Sequence, residues 1–88
     1  MIERAVTIVN SLGMHARPAA QIVRLASSFG AHIEVGRPDM MVNAKSIMGV
    51  MMLAAEHGST LVLRADGVDA EAAVEALAAL VAAGFGET

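Results

Sequence analysis

Apolar residues occur in short runs along the chain, some alternating with polar residues and some at helical spacing, and Gly, Pro, Asn and Asp separate the runs. Residues 2–9 are rich in Val, Ile and Thr and predict a first strand. Ile33 and Val35 alternate with polar neighbours, and residues 40–44 follow after a turn, which predicts a β-hairpin. Residues 60–66 alternate most regularly and predict a fourth strand.

Three other segments have the features of helices. Residues 16–27 carry polar side chains on one side at helical spacing. Ser46 precedes an apolar segment that runs to residue 53, and Asp69 precedes a longer one, so both are predicted N-caps. The predicted apolar stripe of the first helix consists of Ala16, Ala19, Ala20, Val23 and Ala26, and that of the last helix of Ala73, Val74, Leu77, Leu80 and Val81.

The predicted order of elements is βαββαβα, which indicates an α+β fold in a single domain over residues 1–88. Four half-buried strands need a cover on one face of their sheet, and the amphipathic helices supply it. A ferredoxin-like sheet has nearly the same order of elements, so this order leaves two topologies open.

Composition narrows the classes of function. The net charge is −3 and only 2% of the residues are aromatic, which argues against binding of nucleic acid. The absence of cysteine excludes disulfides, thiolate metal sites and thiol catalysis. His32 and His57 have no partner at ligand spacing, so we expect no metal site.

The expected cellular location rests on the sequence features that a signal peptide and a membrane-spanning helix require. The first residues lack the basic start and apolar stretch of a signal peptide. The longest apolar run, residues 47–55, is far shorter than the roughly 20 residues that span a bilayer. We therefore expect a soluble cytoplasmic protein without a membrane partner.

The junction between the first strand and the first helix carries the candidate chemistry. Gly13 permits a tight turn, and Pro18 suits the first turn of a helix, so His15 is predicted at or beside the N-cap. The start of a helix binds anions because its N–H groups are unpaired and its dipole is positive there. An imidazole at this place is a competent acceptor of a phosphoryl group, and the guanidinium of Arg17 suits a phosphate.

A simpler interpretation competes with this one. A lone histidine near a helix start is usually a polar surface residue, and a lone arginine is most often solvated. The combination of His15, Arg17 and Pro18 at one loop-to-helix junction favours the phosphate site.

Two segments resemble a known family. Residues 15–20, with the sequence His-Ala-Arg-Pro-Ala-Ala, resemble the active-site motif of HPr, the histidine-containing phosphocarrier family of the bacterial phosphotransferase system. Residues 45–51, Lys-Ser-Ile-Met-Gly-Val-Met, resemble the regulatory serine segment of that family. The spacing between the two motifs also matches, and the resemblance extends over nearly the whole chain.

The resemblance implies both a fold and a reaction. The fold would be an open-faced sandwich, with a four-stranded antiparallel sheet in the order 1-4-2-3 and three helices on one face. Enzyme I would phosphorylate the Nδ1 atom of His15, and phospho-His15 would donate to an enzyme IIA-type acceptor. Arg17 and the backbone amides of Ala16 and Arg17 would hold the phosphate. The protein would be a carrier rather than an enzyme and would need no cofactor.

The resemblance also implies regulation and a docking surface. Ser46 would be the target of an HPr kinase/phosphorylase, and a phosphate there would hinder the docking of enzyme I. The protein is expected to be a monomer. The implied partner-binding residues are Ala20, Arg24, Ile47, Met48 and Met51.

Two alternatives differ in class from a phosphocarrier. One is a regulatory binding module that is controlled through phospho-Ser46 and has no role in sugar transport. The other is a ferredoxin-like domain that binds a small molecule, in which His15 is incidental. The latter predicts a ligand pocket and no phosphoryl transfer.

Overall fold

The computed structural model describes residues 1–87 and contains four strands and three α-helices. Its elements in chain order are β1 (Ile2–Thr7), α1 (Ala16–Ser27), β2 (His32–Arg37), β3 (Met40–Asn43), α2 (Ile47–Met52), β4 (Thr60–Asp66), α3 (Ala70–Ala82) and a 3-10 turn (Gly84–Gly86).

The bounds of α1 and β4 agree with the sequence prediction, whereas β1 is shorter than predicted. It ends at Thr7 because the next residue pairs with a loop instead of a strand. The N–H of Ile8 donates to the Ser59 carbonyl at 2.9 Å, and the N–H of Gly58 donates to the Ile8 carbonyl at 2.8 Å.

The sheet has the strand order β1-β4-β2-β3, and each pair of neighbours is antiparallel. A ferredoxin-like sheet is also antiparallel, but its first and third strands are central, whereas β4 and β2 are central here. The strand order therefore excludes that topology and confirms the open-faced arrangement that the resemblance implied.

One face of the sheet forms the core with the helices. Alternate side chains of β2 and β4 are fully or almost fully buried on that face, namely Ile33, Val35, Leu61, Leu63 and Ala65. The other face carries charge. Arg64 contacts Glu3 at 2.8 Å and Glu34 at 3.7 Å, and these residues are aligned across three neighbouring strands.

The buried stripe of α1 differs from the prediction. Its buried residues are Pro18, Ala19, Ile22 and Ala26. Ala16 is exposed, because it begins the helix beside the surface, and Ala20 and Val23 are half-buried. The prediction missed Ile22, whose large side chain lies between Ala19 and Ala26 on the helix face that meets the core.

The stripe of α3 was predicted more closely, because Ala73, Val74, Leu77 and Val81 are fully buried and only Leu80 is half-buried. The longest helix among residues 1–87, α3, has 13 residues, and no helix in this part of the chain has the length and apolarity needed to cross a bilayer.

Asp69 occupies the N-cap position of α3 as predicted, but its side chain does not cap the helix. Its two carboxylate oxygens instead accept hydrogen bonds from the N–H groups of Gly30 and Ala31, each at 2.8 Å. These bonds join the start of α3 to the connection between α1 and β2. The bond from Gly30 contributes most to holding the pKa of the Asp69 carboxyl below its usual value, and desolvation opposes it.

We predict that Asp69→Asn destabilises the protein at neutral pH. The amide has no charge and only one oxygen, so it cannot accept both hydrogen bonds. Since the folded-state pKa is lowered, the contribution of the carboxylate is present above the unfolded-state pKa of about 3.9 and is lost as the pH falls through the folded-state value. Urea denaturation from pH 7 to pH 2 measures this effect. The difference in midpoint between the variant and the wild type should shrink below about pH 4.

Asp66→Asn is the matched control, because that carboxylate makes only an exposed contact of 3.9 Å with the N-terminal amine. A pH-independent loss in Asp69→Asn would contradict the role of the charge.

Candidate functional site

His15 is the N-cap residue of α1 and has an extended backbone, with φ −107° and ψ −169°. Its N–H donates to the Gly13 carbonyl at 3.1 Å, and its carbonyl accepts from the N–H of Ala19 at 3.0 Å. Its side chain makes no capping hydrogen bond. The backbone of His15 therefore begins the helix while the imidazole is left for other contacts.

The loop before His15 is fixed against the segment that follows α2. Gly13 has φ +66°, and a Cβ atom added to it would lie 2.5 Å from the Ala55 carbonyl oxygen. The N–H of Met14 donates to the same oxygen at 2.7 Å. Only glycine fits this close approach, and the approach positions the next residue, His15.

The first turn of α1 offers two backbone donors to an anion. Pro18 has no N–H, and the N–H of Ala19 is already bonded to His15. The N–H groups of Ala16 and Arg17 have no hydrogen-bond partner within residues 1–87. The positive end of the helix dipole and two unpaired N–H groups thus adjoin the imidazole.

Arg17 brings a positive charge to the same turn. The residue is exposed, and within the described part of the chain no carboxylate forms an ion pair with it. Its guanidinium is therefore available to an incoming phosphate, to which it is geometrically suited.

The imidazole of His15 contacts the end of the chain. Its Nε2–H group donates to the Glu87 carboxylate oxygen Oε2 at 2.8 Å. The two residues are 72 positions apart in the sequence. The His15 side chain is 37% exposed and that of Glu87 is 18% exposed, so the contact lies partly away from water. Part-burial strengthens such a charge-assisted bond.

Asn10 holds the Glu87 carboxylate from the other side. It is only 4% exposed, and its Nδ2 group donates to Glu87 Oε1 at 3.0 Å and to the Gly13 carbonyl at 2.8 Å. One buried amide therefore joins the side-chain carboxylate of Glu87 to the loop that carries His15.

These contacts select one form of the ring. A carboxylate oxygen only accepts hydrogen bonds, so the Nε2 atom of His15 must carry the proton. In the neutral ring the lone pair then lies on Nδ1, and no residue in the range 1–87 hydrogen-bonds to that atom. The structure thus presents Nδ1 as the free nucleophile.

The site lies on the surface instead of in a pocket. A cleft of about 390 Å³ between α1 and α3 is lined by other residues and does not include His15. No group of three metal-ligating side chains is near enough to hold a metal ion within the described residues. An open site with a nucleophile and an anion-binding helix start suits a protein that accepts an anionic group directly from another macromolecule.

Comparison with known proteins gives the family. Residues 2–83 match the family described as the PTS HPr component phosphorylation site. The chain belongs to the HPr family of phosphocarriers. Members of the family are phosphoryl carriers and not catalysts, in agreement with the prediction from the two motifs.

The relatives cover nearly the whole chain. The phosphocarrier protein HPr of Cupriavidus necator is 51% identical over 87 residues, which cover 99% of this chain and 98% of that protein. The phosphocarrier protein NPr of Shewanella violacea is 44% identical over 86 residues, with coverage of 98% and 94%. The crystal structure of HPr-C-His from Thermoanaerobacter tengcongensis is 45% identical, with a TM-score of 0.94 and coverage of 100% and 99%.

The second HPr motif lies at the start of α2. Ser46 is the N-cap residue, and its Oγ atom accepts a hydrogen bond from the N–H of Gly49 at 3.2 Å. The predicted cap is therefore confirmed. The side chain is half-buried, and it lies at the positive end of a short helix.

The predicted partner-binding residues lie on α1 and α2, which pack against each other. Ile47 is 39%, Met48 70% and Met51 44% exposed, whereas Val50 and Leu53 are buried below them. On α1, Arg24 is exposed and Ala20 is half-buried. The structure thus brings all five residues to neighbouring helices, and their role in docking stays a prediction.

Sequence analysis missed four residues in and around the site. Glu87 and Asn10 were not identified, because neither lies in a local motif and only the folded chain brings them to His15. Leu12 and Met52 are 73% and 66% exposed and extend the apolar surface around the site. A large apolar residue inside the polar loop was a usable signal for Leu12.

We predict that Glu87→Gln weakens control of the His15 tautomer, because a glutamine amide can donate to Nε2 as readily as it accepts from it. Nitrogen NMR of the imidazole should show a smaller fraction protonated at Nε2. Phosphoryl transfer at Nδ1 should slow by about tenfold, the effect of losing one charge-assisted hydrogen bond.

Glu71→Gln removes the same charge from an exposed position in the first turn of α3 and serves as the control. Identical ring spectra for Glu87→Gln and the wild type would contradict the positioning role of Glu87.

Proposed function

We propose that this HPr-family protein accepts a phosphoryl group on Nδ1 of His15 from phospho-enzyme I and donates it to a histidine of an enzyme IIA-type acceptor. The observation that carries this proposal is the arrangement of the imidazole at the start of α1. Its Nε2 atom is bonded to Glu87 at 2.8 Å, which leaves Nδ1 as the nucleophile.

The transfer step follows from that arrangement. The Nδ1 lone pair attacks the phosphorus atom of the donor phosphohistidine, a new N–P bond forms, and the N–P bond of the donor breaks with its electron pair returning to the donor ring. The proton stays on Nε2. The ring of His15 becomes positively charged as the bond forms, and the Glu87 carboxylate beside Nε2 stabilises that charge.

The transferred group brings negative charge to the helix start. The unpaired N–H groups of Ala16 and Arg17 and the guanidinium of Arg17 are the donors available to its oxygens. The phosphoryl group is carried covalently on His15, so the proposal requires no cofactor. The same geometry serves the reverse step, since the N–P bond formed has about the same chemistry as the bond broken.

The decisive experiment uses phosphoenolpyruvate labelled in its phosphoryl group, together with enzyme I. The wild type should acquire a label that is labile in acid and stable in alkali, as expected of a phosphohistidine, and His15→Ala should acquire none. His32→Ala and His57→Ala are the controls, because both side chains are exposed and neither forms a hydrogen bond or ion pair with His15 or Arg17 within residues 1–87. Equal labelling of wild type and His15→Ala would overturn the proposal.

We further propose that Ser46 is a regulatory phosphorylation site for an HPr kinase/phosphorylase. A phosphate adds about −1.5 to −2 charges, which the N-terminus of α2 tolerates. It would stand on the helix that adjoins α1, within the surface that enzyme I must cover. The added charge beside the docking surface then slows transfer to His15.

We predict that incubation with HPr kinase and ATP gives an acid-stable label on the wild type and none on Ser46→Ala. Ser46→Ala should also lower the free energy of unfolding by about 1 kcal/mol, because the cap on Gly49 is lost. Ser46→Asp retains a capping oxygen, so it should keep near wild-type stability while slowing phosphoryl transfer from enzyme I. Transfer at the wild-type rate in Ser46→Asp would contradict inhibition by charge.

A further inference from the structure

The oxidisable side chains of this protein are unusually concentrated beside His15. The chain contains seven methionines and no Cys, Trp or Tyr, so thioethers are its main targets for two-electron oxidants. Three of the seven lie in α2, which has only six residues. They are Met48, Met51 and Met52, and they are 70%, 44% and 66% exposed.

The helix that carries these methionines adjoins the site. The N–H of Met14 donates to the Ala55 carbonyl at 2.7 Å, so the residue before His15 is bonded to the segment that leaves α2. A standard protein interface covers about 800 Å² on each partner, a patch roughly 30 Å across. The Cα atoms of the described residues span 33 × 25 × 20 Å. A partner that docks over His15 therefore covers α2.

We propose that Met48, Met51 and Met52 form an oxidation-sensitive site, and that their conversion to methionine sulfoxides by a peroxide or hypochlorous acid slows phosphoryl transfer at His15 without unfolding the protein. The effect on transfer rests on the docking of enzyme I proposed above. The oxidation pattern itself does not, because it depends only on exposure.

The chemical step is balanced. A sulfur lone pair attacks one oxygen of hydrogen peroxide, an S–O bond forms, and the O–O bond breaks with its electron pair going to the other oxygen, which takes the proton of the transferred oxygen and leaves as water. The sulfur is oxidised by two electrons, and the peroxide is reduced. The product replaces a flexible apolar side chain with a polar one.

The consequence for docking follows from desolvation. An apolar thioether is readily covered by a partner, whereas a sulfoxide oxygen covered without a hydrogen-bond donor opposes association. The contacts that hold α2 to the core are spared, because Val50 and Leu53 make them and contain no sulfur. The fold should therefore survive a modification that weakens docking.

The chain contains its own controls. Met1 is 79% exposed, but β1 separates it from the loop that carries His15. Met14 is 6% exposed and should resist oxidation while the protein is folded. Met1 therefore reports the dose of oxidant, and Met14 reports unfolding.

The experiment treats the full-length protein with increasing hydrogen peroxide and measures sulfoxide at each methionine by peptide mass spectrometry. Circular dichroism and the rate of labelling by enzyme I and phosphoenolpyruvate are measured on the same samples. We expect Met48, Met52 and Met1 to be oxidised first, Met51 next and Met14 last. Complete oxidation of the α2 methionines should slow labelling by about tenfold or more, with an unchanged dichroism spectrum.

Two variants locate the effect, each compared with its own untreated sample. The triple variant Met48→Leu, Met51→Leu, Met52→Leu should lose the sensitivity of its labelling rate to peroxide. The double variant Met40→Leu, Met41→Leu should keep it. Methionine sulfoxide reductases A and B, which act on the two sulfoxide epimers, should restore the rate of the oxidised wild type.

Three results would overturn the inference. They are an unchanged labelling rate after complete oxidation of the α2 methionines, equal peroxide sensitivity of the triple variant and the wild type, and oxidation of Met14 as early as Met48. If the untreated wild type accepts no label on His15, the proposed function itself fails. The oxidation order from mass spectrometry is still measured in that case and is judged separately.

Discussion

The site depends on one close backbone contact. The Ala55 carbonyl oxygen accepts a hydrogen bond from the N–H of Met14 at 2.7 Å and lies only 2.5 Å from where a Cβ atom of residue 13 would be. This contact fixes the turn before α1 against the segment after α2, and so fixes the direction in which α1 begins. The N-cap position of His15, the two unpaired N–H groups and the neighbouring apolar helix all follow from it. A nucleophile on a freely moving loop would not keep this relation to the anion-binding helix start.

The imidazole is oriented by a second set of contacts that comes from the end of the chain. Phe85 is buried and anchors the last turn, although its φ of 59° is unusual for a residue with a side chain. That anchor lets Glu87 reach both His15 and Asn10. The tautomer of the ring is thus set by residues far from it in sequence, and the stability of the C-terminal turn is coupled to the chemistry of the nucleophile.

Local patterns were sufficient to predict most of the elements and the N-cap position of His15. Helical periodicity gave α1 its bounds, and the preference of serine for the N-cap gave the start of α2, because both depend on residues within one or two turns. The contacts of Asp69 and Glu87 could not be predicted in this way. Asp69 looked like a helix cap, yet its carboxylate bonds to Gly30 and Ala31 across 39 and 38 residues. The N-cap preference of aspartate predicted the position of Asp69 correctly but its partners wrongly. In the folded chain its carboxylate accepts two charge-assisted hydrogen bonds instead of one capping bond.

The residues in the first turn of α1 suit a phosphoryl group that must be released as readily as it is accepted. A helix start ordinarily presents free N–H groups at its first three helical positions, and Pro18 removes the third of them. Two amides and one exposed guanidinium are left for the phosphate that we propose for His15. A fuller set of fixed donors would hold the group more tightly and slow its transfer to the next protein. Under the proposed function, the apolar surface of α2 supplies contact area to a docking partner instead, so affinity for the partner and affinity for the phosphate are set by different residues.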